Sequence, residues 1–233
     1  MIHRERREHV AVVTIDRQER RNAVDHEALA GLRAAIDEAA DARVLVLRGA
    51  GGHFCAGADL TGVEDSSFAE LLRAVLLGLR DAPFVTMAAV EGAALGAGTQ
   101  LATACDLRVA TADASFGIPA GKLGLAVDQW TVDRVQLLAG AGAARAMLLA
   151  AEVVRGEDAH RLGLVQRLGS VEDALAWADD IARLAPLTIQ AHKAALNGAP
   201  DAPDAFRRAW ASADFAEGLA AFRDRRPPEF QGR

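Results

Sequence analysis

The stretch FVTMAAVEGAALGAGTQLATACDLRVA (residues 84–110) carries the alternation that decides the fold. It opens with FVTMAAV (84–90), a short apolar run that is typical of a buried strand. EGAALGAG (91–98) is a loop of small residues that leads directly into a helix near residues 97–105. LRVA (107–110) then predicts another strand. Strands that alternate with a helix in this way indicate an α/β core.

The same alternation continues on both sides of this unit. VAVVTI (10–15) and RVLVLRG (43–49) predict buried strands, and ASFGI (114–118) predicts a short one. Asp25 precedes an apolar helical pattern at the position of an N-cap, and residues 67–80 place their leucines on one helical stripe. The chain therefore alternates strands and helices over its first half.

Beyond about Thr131 the pattern predicts helices throughout, over residues 131–138, 143–150, 157–162, 171–185, 187–197 and 204–223. We expect one chain-long unit over residues 1–233, with an α/β core over about 1–130 and a helical region over about 131–233. A helical region of this length around a small core predicts packing against another subunit.

Composition excludes several classes of protein. The 233 residues are 51% hydrophobic, which excludes a disordered chain, and their net charge of −6 argues against a nucleic-acid partner. No apolar run reaches the roughly 20 residues that span a bilayer, and no apolar segment follows the charged N-terminus, so neither a membrane span nor a secretory signal is expected. Two cysteines fit a reducing cytoplasm, and the histidines lack metal-ligand spacing.

Two loops of small residues carry the candidate chemistry. HFCAGADL (53–60) and EGAALGAGTQL (91–101) each follow a buried strand. Small residues let a ligand approach the backbone closely, and the second loop also directs a helix N-terminus at that ligand. Side by side, the loops could direct two amides at one oxygen, as an oxyanion hole does. The alternative is that both loops only allow tight packing of helix against strand.

Further motifs give the chain a family resemblance. RRNAVD (20–25), HFCAGADL, VEGAALGAGTQLATACDLRVAT (90–111), ASFGIPAGKLGL (114–125), GLVQRL (163–168) and AFRDRRPPEFQGR (221–233) resemble the crotonase superfamily, the enoyl-CoA hydratase/isomerase family. The resemblance runs from end to end. It implies a spiral of ββα units followed by a helical C-terminal region that forms a homotrimer, often stacked into a homohexamer.

The resemblance also implies a site for a CoA thioester, with no covalently bound cofactor and no metal. The amides of Ala58 and Ala97 match the oxyanion hole, although the family usually has glycine where Ala97 stands. Arg225 and Arg226 match basic residues that meet the CoA phosphates, as an alternative to a solvated charged tail. The other positions that match the CoA site are Arg21, Ala23, Ala56, Asp59, Leu60, Gly96, Pro119 and Leu123.

The chain departs from the family pattern at the residues that move protons. Family hydratases carry two glutamates, and this sequence has Gln100 and Ala120 at those positions. Water addition needs a base and an acid, and each proton transfer typically contributes on the order of 10²–10⁴-fold in rate. An amide does not titrate and alanine offers no functional group, so the sequence predicts that hydratase activity is missing.

Asp128, in GLAVDQW (124–130), is the remaining acid that the resemblance places at the site. It matches an aspartate that is catalytic in some family members, and its pKa is expected to be raised if it is a desolvated acid. The alternative is an N-cap of the helix that follows, which lowers the pKa because the carboxylate accepts backbone N–H groups.

Three functions stay open at this point. The first is binding or delivery of acyl-CoA in fatty-acid metabolism without hydration, which the loss of both glutamates favours. The second is an enzyme that acts on an acyl-CoA enolate, such as an isomerase, through Asp128. The third is an atypical enoyl-CoA hydratase whose acid and base lie elsewhere.

Overall fold

The computed structural model describes residues 1–61 and 66–233. The strands of this part are β1 (Ile2–Arg7), β2 (Val10–Ile15), β3 (Val44–Gly49), β4 (Val85–Val90), β5 (Ala93–Leu95), β6 (Leu107–Ala110), β7 (Ser115–Gly117), β8 (Val154–Arg155) and β9 (Arg167–Leu168). The helices are α1 (His26–Glu38), α2 (Ser66–Asp81), α3 (Ala97–Ala104), α4 (Gln129–Leu149), α5 (Gly156–Arg161), α6 (Val171–Ala182), α7 (Pro186–Leu196), α8 (Ala202–Trp210) and α9 (Ala213–Asp224).

The larger sheet has the strand order β1-β2-β3-β4-β6-β9 within the described ranges, and only β1 is antiparallel to its neighbour. Its inner strands are mostly apolar because both faces are covered. Leu45 and Leu47 of β3 face a core shared with α1, α2 and α3, whereas Val44 and Val46 face α6. This alternation follows from the two-residue period of a strand.

The register of β3 and β4 places the candidate site. The two strands are parallel, with Val46 opposite Met87. The loops that follow them, residues 50–60 and 91–96, therefore leave the same edge of the sheet. A smaller sheet, in the order β5-β7-β8, begins within the second of these loops.

The structure corrects the expectation for the second half of the chain. Beyond residue 131, β8 and β9 interrupt the helices, and β9 extends the larger sheet beside β6. The helix predicted over 204–223 is two helices, because Ser212 caps the start of α9. The break predicted between 138 and 143 is confirmed as a non-helical Gly140 within α4. The N-terminal strand β1 has no counterpart among the sequence predictions. Its residues, IHRERR, are mostly charged and show no alternation of apolar and polar side chains.

In the part of the chain that the structure describes, none of the helices is long and apolar enough to cross a bilayer.

Candidate functional site

The first loop is held on one side by the segment before α1. Val24 donates its N–H to the Gly57 carbonyl at 2.9 Å, and Asp59 donates to the Val24 carbonyl at 2.8 Å. The Gly57 carbonyl and the Ala58 N–H belong to the same trans peptide and point in opposite directions. The Ala58 N–H therefore points away from Val24.

The opposite side of this loop packs against β5 and the start of α3. Cys55 donates its N–H to Ala93 at 2.9 Å, and its carbonyl accepts from Leu95 at 3.0 Å. A Cβ atom on Gly98 would lie 2.0 Å from the Cys55 carbonyl oxygen, so only glycine allows this approach. The Ala58 N–H thus points toward the side on which α3 begins.

The first amide of α3 faces outward along the helix axis. The Gly96 carbonyl accepts from the Gln100 N–H at 3.1 Å, so the Ala97 N–H in the same peptide points out of the helix N-terminus. Gly96 has φ 54° and ψ −116°, a conformation that glycine adopts readily. Among the residues that the structure describes, no side chain caps this helix.

The Ala58 and Ala97 amides are two unpaired donors on neighbouring segments. Neither N–H has a hydrogen-bond acceptor among the described residues. A Cβ atom on Gly96 would lie 3.8 Å from the Gly57 Cα, so the segments that carry the two amides are in contact. Two unpaired donors on touching segments can stabilise one oxygen on which negative charge develops.

Asn22, which the sequence analysis did not single out, fixes the start of the first loop. Its side chain is fully buried, accepts from the Arg17 N–H at 2.9 Å, and donates to the carbonyls of Ala50 and His53 at 2.8 and 2.6 Å. Asn22 has φ 60°, a left-handed conformation that asparagine tolerates better than most residues. The sequence feature that could have indicated this role is an asparagine between arginine and alanine in a polar loop.

Arg17 binds the first loop to the start of α1. Its guanidinium lies 2.5 Å from Asp25 and 3.3 Å from Asp59, and it also donates to the Ala23 carbonyl. The Thr61 N–H, outweighing the effect of burial, holds the pKa of Asp59 below its ordinary value. The Asp59 carboxylate is therefore an anchor of the loop, and Ala23 is anchored with it.

Gln100 lies one turn after Ala97 and is buried. Its Oε1 accepts from the hydroxyl of Thr131, a fully buried residue of α4, at 3.0 Å. A carboxamide at this point binds hydrogen-bond partners of either kind but takes up no proton. The helix that provides one amide of the site thus presents a neutral polar group beside it.

Asp128 is the N-cap of α4, as one of the two interpretations predicted. Its Oδ1 accepts from the Thr131 N–H at 2.9 Å, and its Oδ2 accepts from Arg73 of α2 at 2.6 Å. Partial burial raises the pKa of the Asp128 carboxyl, but the hydrogen bonds from Thr131 and Arg73 outweigh it, so the pKa lies below its ordinary value. The geometry of a desolvated acid with a raised pKa is not present.

The other predicted positions differ in how deeply their residues are buried. Ala120 and Pro119 are half-buried in a 3₁₀ turn, Pro119–Leu123, whose last residue, Leu123, is exposed. The Ala56 N–H donates to the Arg21 carbonyl at 3.0 Å. The side chains of Arg21 and Leu60 are exposed at the surface.

The two C-terminal arginines differ from each other. Arg226 forms two hydrogen bonds with Glu217, at 2.6 and 2.8 Å. Arg226, together with the Glu229 N–H, lowers the pKa of Glu217 to about 2. Arg225 is exposed and ends α9 in the left-handed conformation. Arg226 is therefore engaged within the chain.

Carbonyls at the far end of α3 accept hydrogen bonds from two arginines that sequence reasoning missed. Arg108 is buried and donates to the carbonyls of Ala102 and Cys105 at 3.1 and 2.8 Å. Arg134 donates to the carbonyls of Thr103 and Cys105 at 2.8 and 3.3 Å. Burial lowers the pKa of Arg108 to about 10, which still leaves it charged at neutral pH. For Arg108, the sequence feature that could have indicated this role is an arginine within the otherwise apolar strand LRVA.

Comparisons with known proteins settle the family. A family model described as enoyl-CoA hydratase/isomerase matches residues 5–233. The chain belongs to this family. A relative from Mycobacterium tuberculosis, echA6, described as a probable enoyl-CoA hydratase, is 44% identical over 235 residues, which cover 97% of each chain. The Mycobacterium leprae protein of the same description is 41% identical over 239 residues, which also cover 97% of each chain.

A solved structure gives the same answer for the fold of this enoyl-CoA hydratase/isomerase family member. The crystal structure of an enoyl-CoA hydratase/carnithine racemase from Magnetospirillum magneticum matches with a TM-score of 0.92 and 29% identity, over 100% of this chain and 96% of that one. The crotonase-like α/β fold expected from the sequence is confirmed.

Proposed function

We propose that this family member binds acyl-CoA thioesters of fatty-acid metabolism without hydrating them, and so carries or delivers acyl chains. The thioester oxygen accepts hydrogen bonds from the amides of Ala58 and Ala97. The geometry of these two unpaired donors supports the binding part of the proposal. No cofactor is required for this role, because the CoA thioester is itself the ligand.

The observation that carries the second part is the lack of a titrating group at Gln100 and Ala120. These residues stand where the family resemblance expects two glutamates. Gln100 is held by the Thr131 hydroxyl, and Ala120 has only a methyl group. Without a base for the water proton and an acid for the α-carbon, hydration loses two contributions of on the order of 10²–10⁴-fold each.

The state of Asp128 argues against an isomerase that uses it as an acid. Its carboxylate is bound by Arg73 and by the Thr131 N–H, and its pKa is lowered. A carboxyl group with such a pKa is ionised near neutral pH and has no proton to donate to an enolate.

The rest of the CoA molecule is proposed to lie along the positions that the resemblance marks. Arg21, Leu60 and Leu123 are exposed and free to contact a ligand at the surface. Of the two C-terminal arginines, Arg225 is the better candidate for a CoA phosphate, because Arg226 is paired with Glu217. Ala23, Ala56, Gly96 and Pro119 supply backbone in the same region.

We also propose a homotrimer or homohexamer in the cytoplasm. Phe206 and Trp210 of α8 and Phe222 of α9 are 57%, 59% and 84% exposed, and a second copy of the chain would cover such side chains. Cys55 and Cys105 are free thiols, which fits a reducing compartment. Light scattering at micromolar concentration should give the mass of three or six chains, and the mass of a monomer would contradict the assembly.

The decisive experiment compares binding with turnover on one preparation. A fluorescence or calorimetric titration with a long-chain acyl-CoA should show saturable binding. Crotonyl-CoA hydration should stay far below the roughly 10 s⁻¹ of a median enzyme. Turnover near that value would instead support hydration, the activity named in the description of the Mycobacterium tuberculosis relative. The Gln100→Glu/Ala120→Glu double variant is the control, since a gain of hydration supports the assignment of both positions.

A further inference from the structure

We propose that Gln100 makes the site selective for acyl-CoA thioesters that carry a carbonyl oxygen on C3, the 3-oxoacyl class. This inference rests on the proposed function, because it assumes that the thioester oxygen binds the amides of Ala58 and Ala97. It goes further by assigning a second polar contact to the acyl chain itself.

The Gln100 amide is held by a hydrogen bond to its neighbour on α4. Its Oε1 accepts from the Thr131 hydroxyl at 3.0 Å. Thr131 is fully buried, and its own N–H is bound to Asp128 at 2.9 Å, so this residue is anchored at the start of α4. An amide that uses its oxygen in this way presents its NH₂ group on the other side.

The NH₂ group of Gln100 has no partner in the described part of the chain. The residue is only 9% exposed. Its Nε2 is nevertheless not one of the sealed, unpartnered atoms among the described residues, which are Arg48 Nε and Thr111 Oγ1. The donor therefore opens onto accessible space.

The helix geometry places this donor near the thioester site. Gln100 is three residues after Ala97, so the two lie on one face of α3. Side chains of a helix tilt toward its N-terminus, which brings the Gln100 side chain over the turn that starts with Ala97. C3 of an acyl chain is two carbons from the thioester carbonyl, so a C3 substituent lies within the same small region.

The chemistry of the donor selects the substituent. A donor that a bound ligand covers without offering an acceptor weakens binding, and a saturated chain offers it only CH₂ at C3. A 3-oxo group is an acceptor without a proton of its own, so it accepts one N–H of the amide and leaves no unpaired donor on the ligand. A 3-hydroxyl group also accepts, but its own proton then needs a partner. The expected order of affinity is 3-oxoacyl, then 3-hydroxyacyl, then saturated acyl-CoA.

The test measures Kd for these three acyl-CoA thioesters at equal chain length. The wild-type protein should bind the 3-oxo form about 5–10-fold more tightly than the saturated form, as expected for one added hydrogen bond. In Gln100→Met, which keeps the size but removes the donor, the ratio should fall to about one. In Gln100→Glu the carboxylate repels the ketone, and the 3-oxo form should bind most weakly. Gln129→Met, at an exposed position of α4, is the matched control and should keep the wild-type ratio.

Each remaining outcome has a definite meaning. Equal affinity for all three ligands in the wild type overturns the C3 selectivity and leaves the proposed function standing. A wild-type preference for the 3-hydroxy over the 3-oxo form also overturns it, because Oε1 would then face the ligand. No binding of any acyl-CoA overturns the proposed function itself. Circular dichroism of each variant confirms that the compared proteins are folded.

Discussion

The two ends of α3 (Ala97–Ala104) differ in the hydrogen bonding of their backbone groups. At its C-terminus, Arg108 and Arg134 donate to the carbonyls of Ala102 and Thr103 and to that of Cys105, the residue that follows the helix. At its N-terminus, no side chain caps the helix, and the Ala97 N–H has no acceptor in the described ranges. The residues at both ends, Ala97 and Ala104, are buried in the same core.

Within the eight residues of α3, one end is therefore bonded within the fold and the other is available to the proposed ligand. Buried backbone groups are normally paired, because an unpaired one costs about 1–3 kcal/mol. The C-terminal end follows this rule with two cations that also suit the negative end of the helix dipole. The N-terminal end breaks the rule where a ligand oxygen is proposed to complete it. Substitutions at each end of α3, and at the cap of the adjacent α4, test this difference.

Removing the buried cation from the C-terminal end should have the largest effect. Arg108→Met leaves the Ala102 carbonyl without a side-chain donor, and it takes the shorter of two side-chain hydrogen bonds from the carbonyls of Cys105 and Leu164. At about 1–3 kcal/mol for each unsatisfied group, we expect a loss of about 3 kcal/mol or more of unfolding free energy. Thermal unfolding followed by circular dichroism should show Tm lower by roughly 6–12 °C.

The control for this variant is Arg145→Met, at an exposed position of α4. Surface substitutions of this kind usually change the unfolding free energy by less than about 0.5 kcal/mol. A similar Tm for the two variants would show that Arg108 does not stabilise the end of α3.

Removing the donor from the N-terminal end should weaken ligand binding while the fold is kept. Proline is tolerated at the first position of a helix, so Ala97→Pro removes the N–H at low structural cost. We expect acyl-CoA binding to weaken by about 1–3 kcal/mol, which corresponds to roughly 5–150-fold in Kd. Ala97→Gly keeps the N–H and should leave Kd nearly unchanged. Equal affinity of a folded Ala97→Pro protein and the wild type would place the thioester elsewhere.

Changing the cap of the neighbouring helix should have the smallest effect. Asparagine caps a helix about as well as aspartate, so Asp128→Asn should leave acyl-CoA binding unchanged and alter stability only slightly. Because the folded-state pKa of Asp128 is lowered, the stability that its charge adds is present above the unfolded pKa of about 3.9 and is lost as the pH falls further. Denaturant titrations of both proteins from pH 7 to pH 3 should therefore converge at the acid end.

A second readout of this variant separates the cap from a catalyst. Solvent-deuterium exchange at the acyl α- or γ-carbon should be absent in the wild type. Exchange that is present in the wild type and disappears in Asp128→Asn would establish Asp128 as a catalytic group.

The sequence predicts the inner strands and the site loops well, and local patterns explain why. The apolar runs of β2, β3 and β4 and the loop before α3 each have a signature of their own. The short strands β8 and β9 have none, because they are defined by distant partners such as Ser115 and Val109. The side chains that fix the site escaped for the same reason. Arg108 and Arg134 act on carbonyls of α3 that only the tertiary fold brings within reach.

The most direct test of the account is the vibrational frequency of the bound thioester carbonyl. Two amide donors polarise the C=O bond, so difference infrared spectra of an acyl-CoA with ¹³C at the carbonyl should show a lower frequency in the complex than in water. In Ala97→Pro at saturating ligand, the frequency should lie between the wild-type value and that of free acyl-CoA, because only the Ala58 donor remains. A bound thioester whose frequency equals that of free acyl-CoA, in the wild type and the variant alike, would contradict the oxyanion hole at Ala58 and Ala97.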